Sequence, residues 1–128
     1  MSVEQYKGST SQSFPLKGGE LNAAITSALV GIHTEFLGRG PSSSSTFHHE
    51  HLVLTLMHDV MTPAEKSLAR GGQVEAVNGI RRLLLDMMAA NLREAVERLT
   101  GRSVLALISG IDVDPDIAAV LFILDGAP

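Results

Sequence analysis

The 128-residue chain has no cysteine and no tryptophan, and only 4% of its residues are aromatic. Without cysteine there is no disulfide framework, no zinc–thiolate centre and no thiol nucleophile, and a reducing, cytosolic setting is expected. So few aromatics in a chain that is 45% hydrophobic imply a core of Leu, Ile, Val, Ala and Met. Basic residues are also scarce: 10 Lys and Arg against 14 Asp and Glu give a formal charge of −4. With no basic stripe to neutralise phosphates, neither nucleic acid nor an anionic lipid surface is an expected partner. The longest apolar run, Ile117 to Leu124, is far shorter than the roughly 20 residues that cross a bilayer. No charged-then-apolar leader opens the chain, so neither a transmembrane segment nor a secretory signal is expected.

What is present reads as one α+β domain over residues 18–126, preceded by a polar, Gly- and Ser-rich segment, residues 1–17, expected to be flexible with Phe14 and Leu16 docking its end. Leu21, Ile25, Ala28, Leu29, Ile32 and Phe36 recur at helical spacing, and Gly38-Arg39-Gly40-Pro41 must stop that helix. Ser42 to Ser45 reads as a loop. Thr46 to His58 reads as one half-buried strand, with Leu52, Leu54 and Leu56 on one face and His49, His51, Val53, Thr55 and Met57 on the other. Thr62-Pro63-Ala64-Glu65 starts a helix, since the threonine hydroxyl can accept from a first-turn amide, proline suits the first position and glutamate can reach back. Gly71 and Gly72 interrupt it. A long helix follows, with Val77, Ile80, Leu84, Met88, Leu92, Ala95, Val96 and Leu99 on one face, ending at Gly101. Its solvated face carries Arg82–Asp86, Arg93–Glu97 and Glu94–Arg98 as expected ion pairs. Ser103 to Ile111 and Ile117 to Leu124 read as strands joined by the Asp112-Val113-Asp114-Pro115-Asp116 turn. The expected fold is a three-stranded antiparallel sheet with two main helices on one face, in the order helix-strand-helix-strand-strand.

Four constellations have chemical potential, and each has a structural alternative. His49 and His51, on one strand face, would point two imidazoles at a divalent metal, or simply form a polar surface. Asp112, Asp114 and Asp116 offer oxygens for calcium, or turn chemistry. Gly38, Arg39, Gly40 and Pro41, continuing into Ser42 and Ser43, could cradle an anion with backbone amides, hydroxyls and a guanidinium, or could simply end a helix. Met87 and Met88 with Met57 and Met61 form an adaptable partner groove or fill the core. No nucleophile triad, phosphate loop or catalytic carboxylate pair stands at a usable spacing, which weighs against an enzyme.

The blocks GELNAAITSALVGIHTEFLGRGP, TPAEKSLARGG, LREAVERLTGRSV and DVDPDIAAVLFIL resemble the successive blocks of the MpsC family, formerly a domain of unknown function. The family is named as a component of a sodium-translocating, membrane-potential-generating system associated with membrane transporters. The resemblance, over about residues 18–125, carries over Gly38, Arg39, Gly40 and Pro41 in the bend, Gly101 and Arg102 after the long helix, and Asp114, Pro115, Asp116 and Ile117 in the turn. Ser42 and Ser43 stand where the family has a threonine and a basic residue, and the His48-His49-Glu50-His51 run departs from its pattern.

Two functions follow as expectations. In one, the chain is a non-catalytic accessory or regulatory subunit, cytoplasmic and peripheral at the inner face of the membrane, with a transporter subunit as partner. In the other, it is a small-ligand, anion or metal-binding domain using Arg39, Arg102, the serine loop and His49 or His51. A homodimer is expected in either case, because Ile117 to Leu124 has too few polar alternates for a strand with one face in water.

Overall fold

A computed structural model describes residues 16–128. In chain order they form α1 (Gly18–Leu37), β1 (Ser43–His49), β2 (Leu52–His58), α2 (Pro63–Arg70), α3 (Val74–Thr100), β3 (Val104–Asp112) and β4 (Ile117–Leu124). Helices and sheet segregate as expected for an α+β chain, but the sheet has four strands rather than three, in the order β1-β2-β4-β3 with every neighbouring pair antiparallel. Among the described residues there are three helices, and the order is helix-strand-strand-helix-helix-strand-strand. Most of the expected flexible segment, residues 1–15 including Phe14, lies outside the described residues. Leu16, at its end, is buried in the core.

The extra strand lies where sequence reading expects a loop. Ser43 to His49 pairs along its whole length with His58 to Leu52, and the single strand expected over Thr46 to His58 is broken by a tight turn at Glu50-His51. β1 is polar because its inward face is held by hydrogen bonds rather than by apolar contact. His48 Nδ1 donates to Asn22 Oδ1 on α1 at 2.6 Å. Thr55, Thr46 and Thr26 form a hydroxyl chain at 2.9 and 2.7 Å that ends on the Asn22 carbonyl, 3.0 Å from Thr26 Oγ1. Only one direction lets every hydroxyl donate, from Thr55 through Thr46 and Thr26 to the helix carbonyl, and this satisfies groups buried between α1 and the sheet.

In the turn, Glu50 has φ 53°, a left-handed conformation costing an ordinary side chain about 1 kcal/mol or more. Replacing Glu50 by asparagine, which tolerates that region, is expected to raise stability by about 0.5 kcal/mol, read as a higher urea midpoint. The contact it gives up, His49 Nε2 to Glu50 Oε2 at 3.7 Å between exposed side chains, contributes little.

The helix punctuation is as the sequence reads. α1 stops where Gly38, at φ 79°, donates its amide to the Thr34 carbonyl at 2.8 Å. Gly40 then brings the bend against the helix so closely that a Cβ there would lie 2.9 Å from Thr34 Oγ1. α2 opens on the Thr62–Glu65 capping box, and α3 ends at Gly101. Two members of the expected exposed ion pairs do something else: Glu97 accepts from the Val104 amide at 2.8 Å and Arg93 donates to the Val104 carbonyl at 3.3 Å. The helix thereby fixes the start of β3, just before an irregularity between Val104 and Ala106.

The core lies between the helices and one face of the sheet: Leu21, Ile25 and Leu29 from α1, Leu92 and Val96 from α3, against Val53, Met57, Val120 and Phe122. On β2 the inward set is thus Val53, Thr55 and Met57, while Leu52, Leu54 and Leu56 point the other way.

Candidate functional site

β1 and β4 begin, and β2 and β3 end, at the same edge of the sheet, because Ser43 pairs with His58, His58 with Ile117, and Ile117 with Asp112. At that edge the chain crosses from β2 to α2 through Asp59-Val60-Met61-Thr62. Val60 and Met61 are 0% and 2% exposed, so this irregular segment needs partners for its backbone as completely as a strand would. Side chains and turns supply nearly all of them. The Asp59 amide donates to the Asp116 carbonyl at 3.0 Å, and the Val60 and Met61 amides donate to the two Asp116 carboxylate oxygens at 3.1 and 3.3 Å. The Thr62 amide donates to Glu65 Oε1 at 2.9 Å. Arg39 donates to the Asp59 and Met61 carbonyls at 3.3 and 2.8 Å, Arg81 to the Val60 carbonyl at 2.6 Å, and the Lys66 amide to the Thr62 carbonyl at 2.9 Å. Every amide and carbonyl from Asp59 to Thr62 is accounted for.

The charges behind these contacts form a connected network. Glu65, its side chain 3% exposed, receives Arg81 in a two-point contact, Nε to Oε2 and Nη2 to Oε1, each 2.7 Å. Arg81 Nη1 lies 3.3 Å from His33 Nε2, and His33 Nδ1 lies 3.3 Å from the Arg39 carbonyl. A guanidinium only donates and a carbonyl only accepts. His33 therefore carries its proton on Nδ1 and accepts at Nε2, as a neutral ring. Asp59 joins Arg39 Nη2 at 3.2 Å and Lys66 Nζ at 3.0 Å. The hydrogen bond from Lys66, reinforced by the charges of Lys66 and Arg39, holds the Asp59 carboxyl below its ordinary range.

Burial first, and then the positive charge of Arg81, holds the His33 pKa below its ordinary 6.5. In the unfolded chain the ring takes a proton as pH falls through 6.5, while the folded chain resists it, so the unfolded state binds more protons and stability falls with pH. The loss is expected to begin near pH 6.5 and to continue down to the lower folded-state pKa. Asp59 acts in the same direction at more acid pH, its contribution being lost as pH drops through the ordinary carboxylate range and below. Urea midpoints between pH 7.5 and 5.5 should decline for the native chain, with a flatter slope for His33→Gln.

The sequence-derived candidates divide. Arg39 and Asp116, distant in the chain, meet on either side of the Asp59–Met61 segment. Arg39 directs its guanidinium at Asp59 and the chain's own carbonyls. Ser42 donates its amide and hydroxyl to the His58 carbonyl at 2.9 and 3.4 Å, and Ser43 belongs to β1. In the turn, the Asp114 amide bonds to Asp112 Oδ1 at 3.1 Å, while Asp114 and Pro115 are exposed. Arg102 is at the other end of the sheet, beside the Val104–Leu124 pair, where it donates to the Ala127 carbonyl at 2.7 Å. His49 ends β1 and His51 lies in the turn, so the expected common strand face does not exist. Among the described residues no group of three or more His, Cys, Asp or Glu is placed to hold a metal ion.

His33 and Arg81 are not among the sequence-derived candidates, where Glu65 figures only as a cap. A signal was available: His33 continues the buried Leu21–Ile25–Leu29 stripe, and Arg81 follows Val77 one helical turn on. A polar residue on a buried stripe must find a partner. Beside these two side chains, between α3 and the inward face of β3 and β4, lies a cavity of about 420 Å³, with Leu29, Met57, Leu85 and Met88 in its apolar wall and Asn78 and Arg82 also lining it.

Fold and site together define an α+β domain whose central charged residues hold its own backbone. The chain belongs to the MpsC family: the family profile, described as Na+-translocating membrane potential-generating system (MpsC), matches residues 17–126. It is also similar to the uncharacterized protein YrhF of Bacillus subtilis (strain 168), 26% identical over 96 residues that cover 73% of this chain and 79% of that one. No solved structure matches it significantly.

Proposed function

We propose that the chain is a non-catalytic accessory or regulatory subunit of a Na+-translocating, membrane-potential-generating system, held at the cytoplasmic face of the membrane by a transporter subunit. Family membership supports the system. The observation that carries the accessory role is that the groups best suited to chemistry are committed to each other. A general base needs a free lone pair within reach of a substrate, whereas both His33 nitrogens and both Glu65 oxygens have partners within the fold. Among the described residues no helix is long and apolar enough to cross a membrane, and this reading assigns the ion path to the partner. Tagged protein purified from solubilised native membranes is expected to bring with it a membrane-spanning ion-translocating subunit, and removal of the chain to lower the Na+-dependent membrane potential. An unchanged potential and no membrane-spanning partner would overturn the reading.

The cavity favours a second reading, a small-ligand-binding domain. Its volume of about 420 Å³ lies within the range of roughly 300–1,000 Å³ that ligand sites occupy, and apolar walls with a few polar groups are typical of them. Thermal-shift screening with small carboxylates is expected to raise the melting temperature of the native chain but not of Ala118→Phe, which fills the cavity. Equal responses from both proteins would dismiss this reading.

A further inference from the structure

The helices cover one face of the sheet; the other has no helix on it among the described residues. Its composition follows from the register. Ile108 pairs with Leu121, Leu121 with Leu54 and Leu54 with Phe47, so one apolar row crosses all four strands. The next row runs from Ala106 through Ile123 and Leu52 to His49. Phe47 and Ile108 are 55% and 56% exposed, and Leu52 is 37% exposed. Monomeric proteins rarely expose a contiguous apolar patch larger than a few hundred Å². Strands about 4.8 Å apart that rise about 3.3 Å per residue give the whole face, its margin of Asp112, Ile117, His58 and Ser43 included, a projected area of roughly 450–500 Å² before side-chain relief is counted.

We infer that this face binds the same face of a second copy of the chain, forming a two-sheet sandwich about a two-fold axis. Two such faces together reach the roughly 1,000 Å² that separates specific interfaces from incidental contacts. Twisted sheets stack face to face at a separation of about 10 Å, with their inner side chains interdigitated. Charge selects the occupant. None of the four strands carries a lysine or arginine, the cations by which a protein surface holds anionic lipid. The face's carboxylate, Asp112, is at its margin, paired with Ile117 at the end of β3. An uncharged centre meets its own copy without like-charge repulsion, which is what an isologous interface requires. The inference is independent of the accessory role.

The absence of native cysteine allows a direct test. Ile108→Cys places a thiol on the sheet face and Met87→Cys places one on α3, both at sites more than half exposed in the single chain. With the full chain a dimer by light scattering, at about a hundredfold its dissociation constant, a maleimide should react with Ile108→Cys slower than with Met87→Cys on the order of tenfold, and dilution should abolish the difference. The double variant Phe47→Asp, Ile108→Asp should retain its helical circular dichroism and melting behaviour as a monomer. Its dissociation constant should rise on the order of a hundredfold, because two carboxylates per copy would be buried unpaired. A native monomer at high micromolar concentration would overturn the inference, as would a dimer in which Ile108→Cys is the faster thiol. So would a native monomer that floats with phosphatidylglycerol–phosphatidylcholine vesicles, since the face would then belong to lipid.

Discussion

Arg81→Ala is expected to lower the unfolding free energy by about 3–5 kcal/mol, the usual cost of removing one partner from a buried ion pair, as measured by urea denaturation at pH 7.5. The size follows from what is left behind. Glu65 would retain only the amide and hydroxyl of Thr62 at 2.9 and 3.0 Å, with its charge still in a site 3% exposed. The Val60 carbonyl would lose its 2.6 Å donor, and His33 Nε2 its neighbour at 3.3 Å. Removing both charges should do less harm than removing one, because an apolar pair of similar volume leaves no buried charge unpaired, although the Val60 carbonyl and the Thr62 amide still lose their partners. Arg81→Met with Glu65→Leu should therefore unfold at higher urea than Arg81→Ala, even though the α2 cap loses its glutamate. A cost below about 1 kcal/mol for Arg81→Ala would place the pair in the class of solvated surface bridges and contradict the burial described here.

Asp116→Ala should cost about 2–4 kcal/mol, since each buried donor left without an acceptor costs about 1–3 kcal/mol. The carboxylate serves two amides, those of Val60 and Met61, from a residue at φ 63°. Alanine would remove both acceptors and tolerate that conformation poorly. Asp116→Asn keeps one acceptor oxygen and the tolerance, and should recover about half of the loss. Asp116→Gly separates the causes: it relieves the backbone but restores no acceptor, so it should remain clearly destabilised. Urea midpoints for alanine and glycine variants that both match the native chain would show that the Asp59–Met61 segment does not depend on the carboxylate.

The contrast between legible and hidden parts of the chain is physical. α1, α2, α3 and β4 announce themselves through apolar spacing, the Thr62–Glu65 box and the glycine after each long helix. β1 does not, because its inward face carries Ser44, Thr46 and His48, of which Thr46 and His48 meet hydroxyl and amide partners that only the folded chain supplies, so its sequence lacks the apolar alternation of a half-buried strand. β2 is ambiguous for the opposite reason: Leu52, Leu54 and Leu56 are as apolar as the inward set, so alternation names two faces without ranking them. In the site, the bend and the Asp114–Asp116 turn were visible as motifs. Their meeting place was not, since Asp59 to Met61 has no pattern of its own, and its conformation is fixed by Arg39, Arg81 and Asp116 arriving from three different elements. Arg102 belonged to the matched blocks, yet chain connectivity takes it to the far end of the sheet.

The strand order has a consequence for how the molecule comes into being. β1 with β2, and β3 with β4, are hairpins that can close locally, but the centre of the sheet joins β2 to β4 across a loop of about 60 residues, which makes it the slowest contact to find. During synthesis the first hairpin and α1 must wait, with Val53 and Met57 bare, through the time it takes to make both later helices and β3. The domain commits to its fold only once β4 has been made, and until then the nascent chain is a client for whatever shields apolar strands at the ribosome.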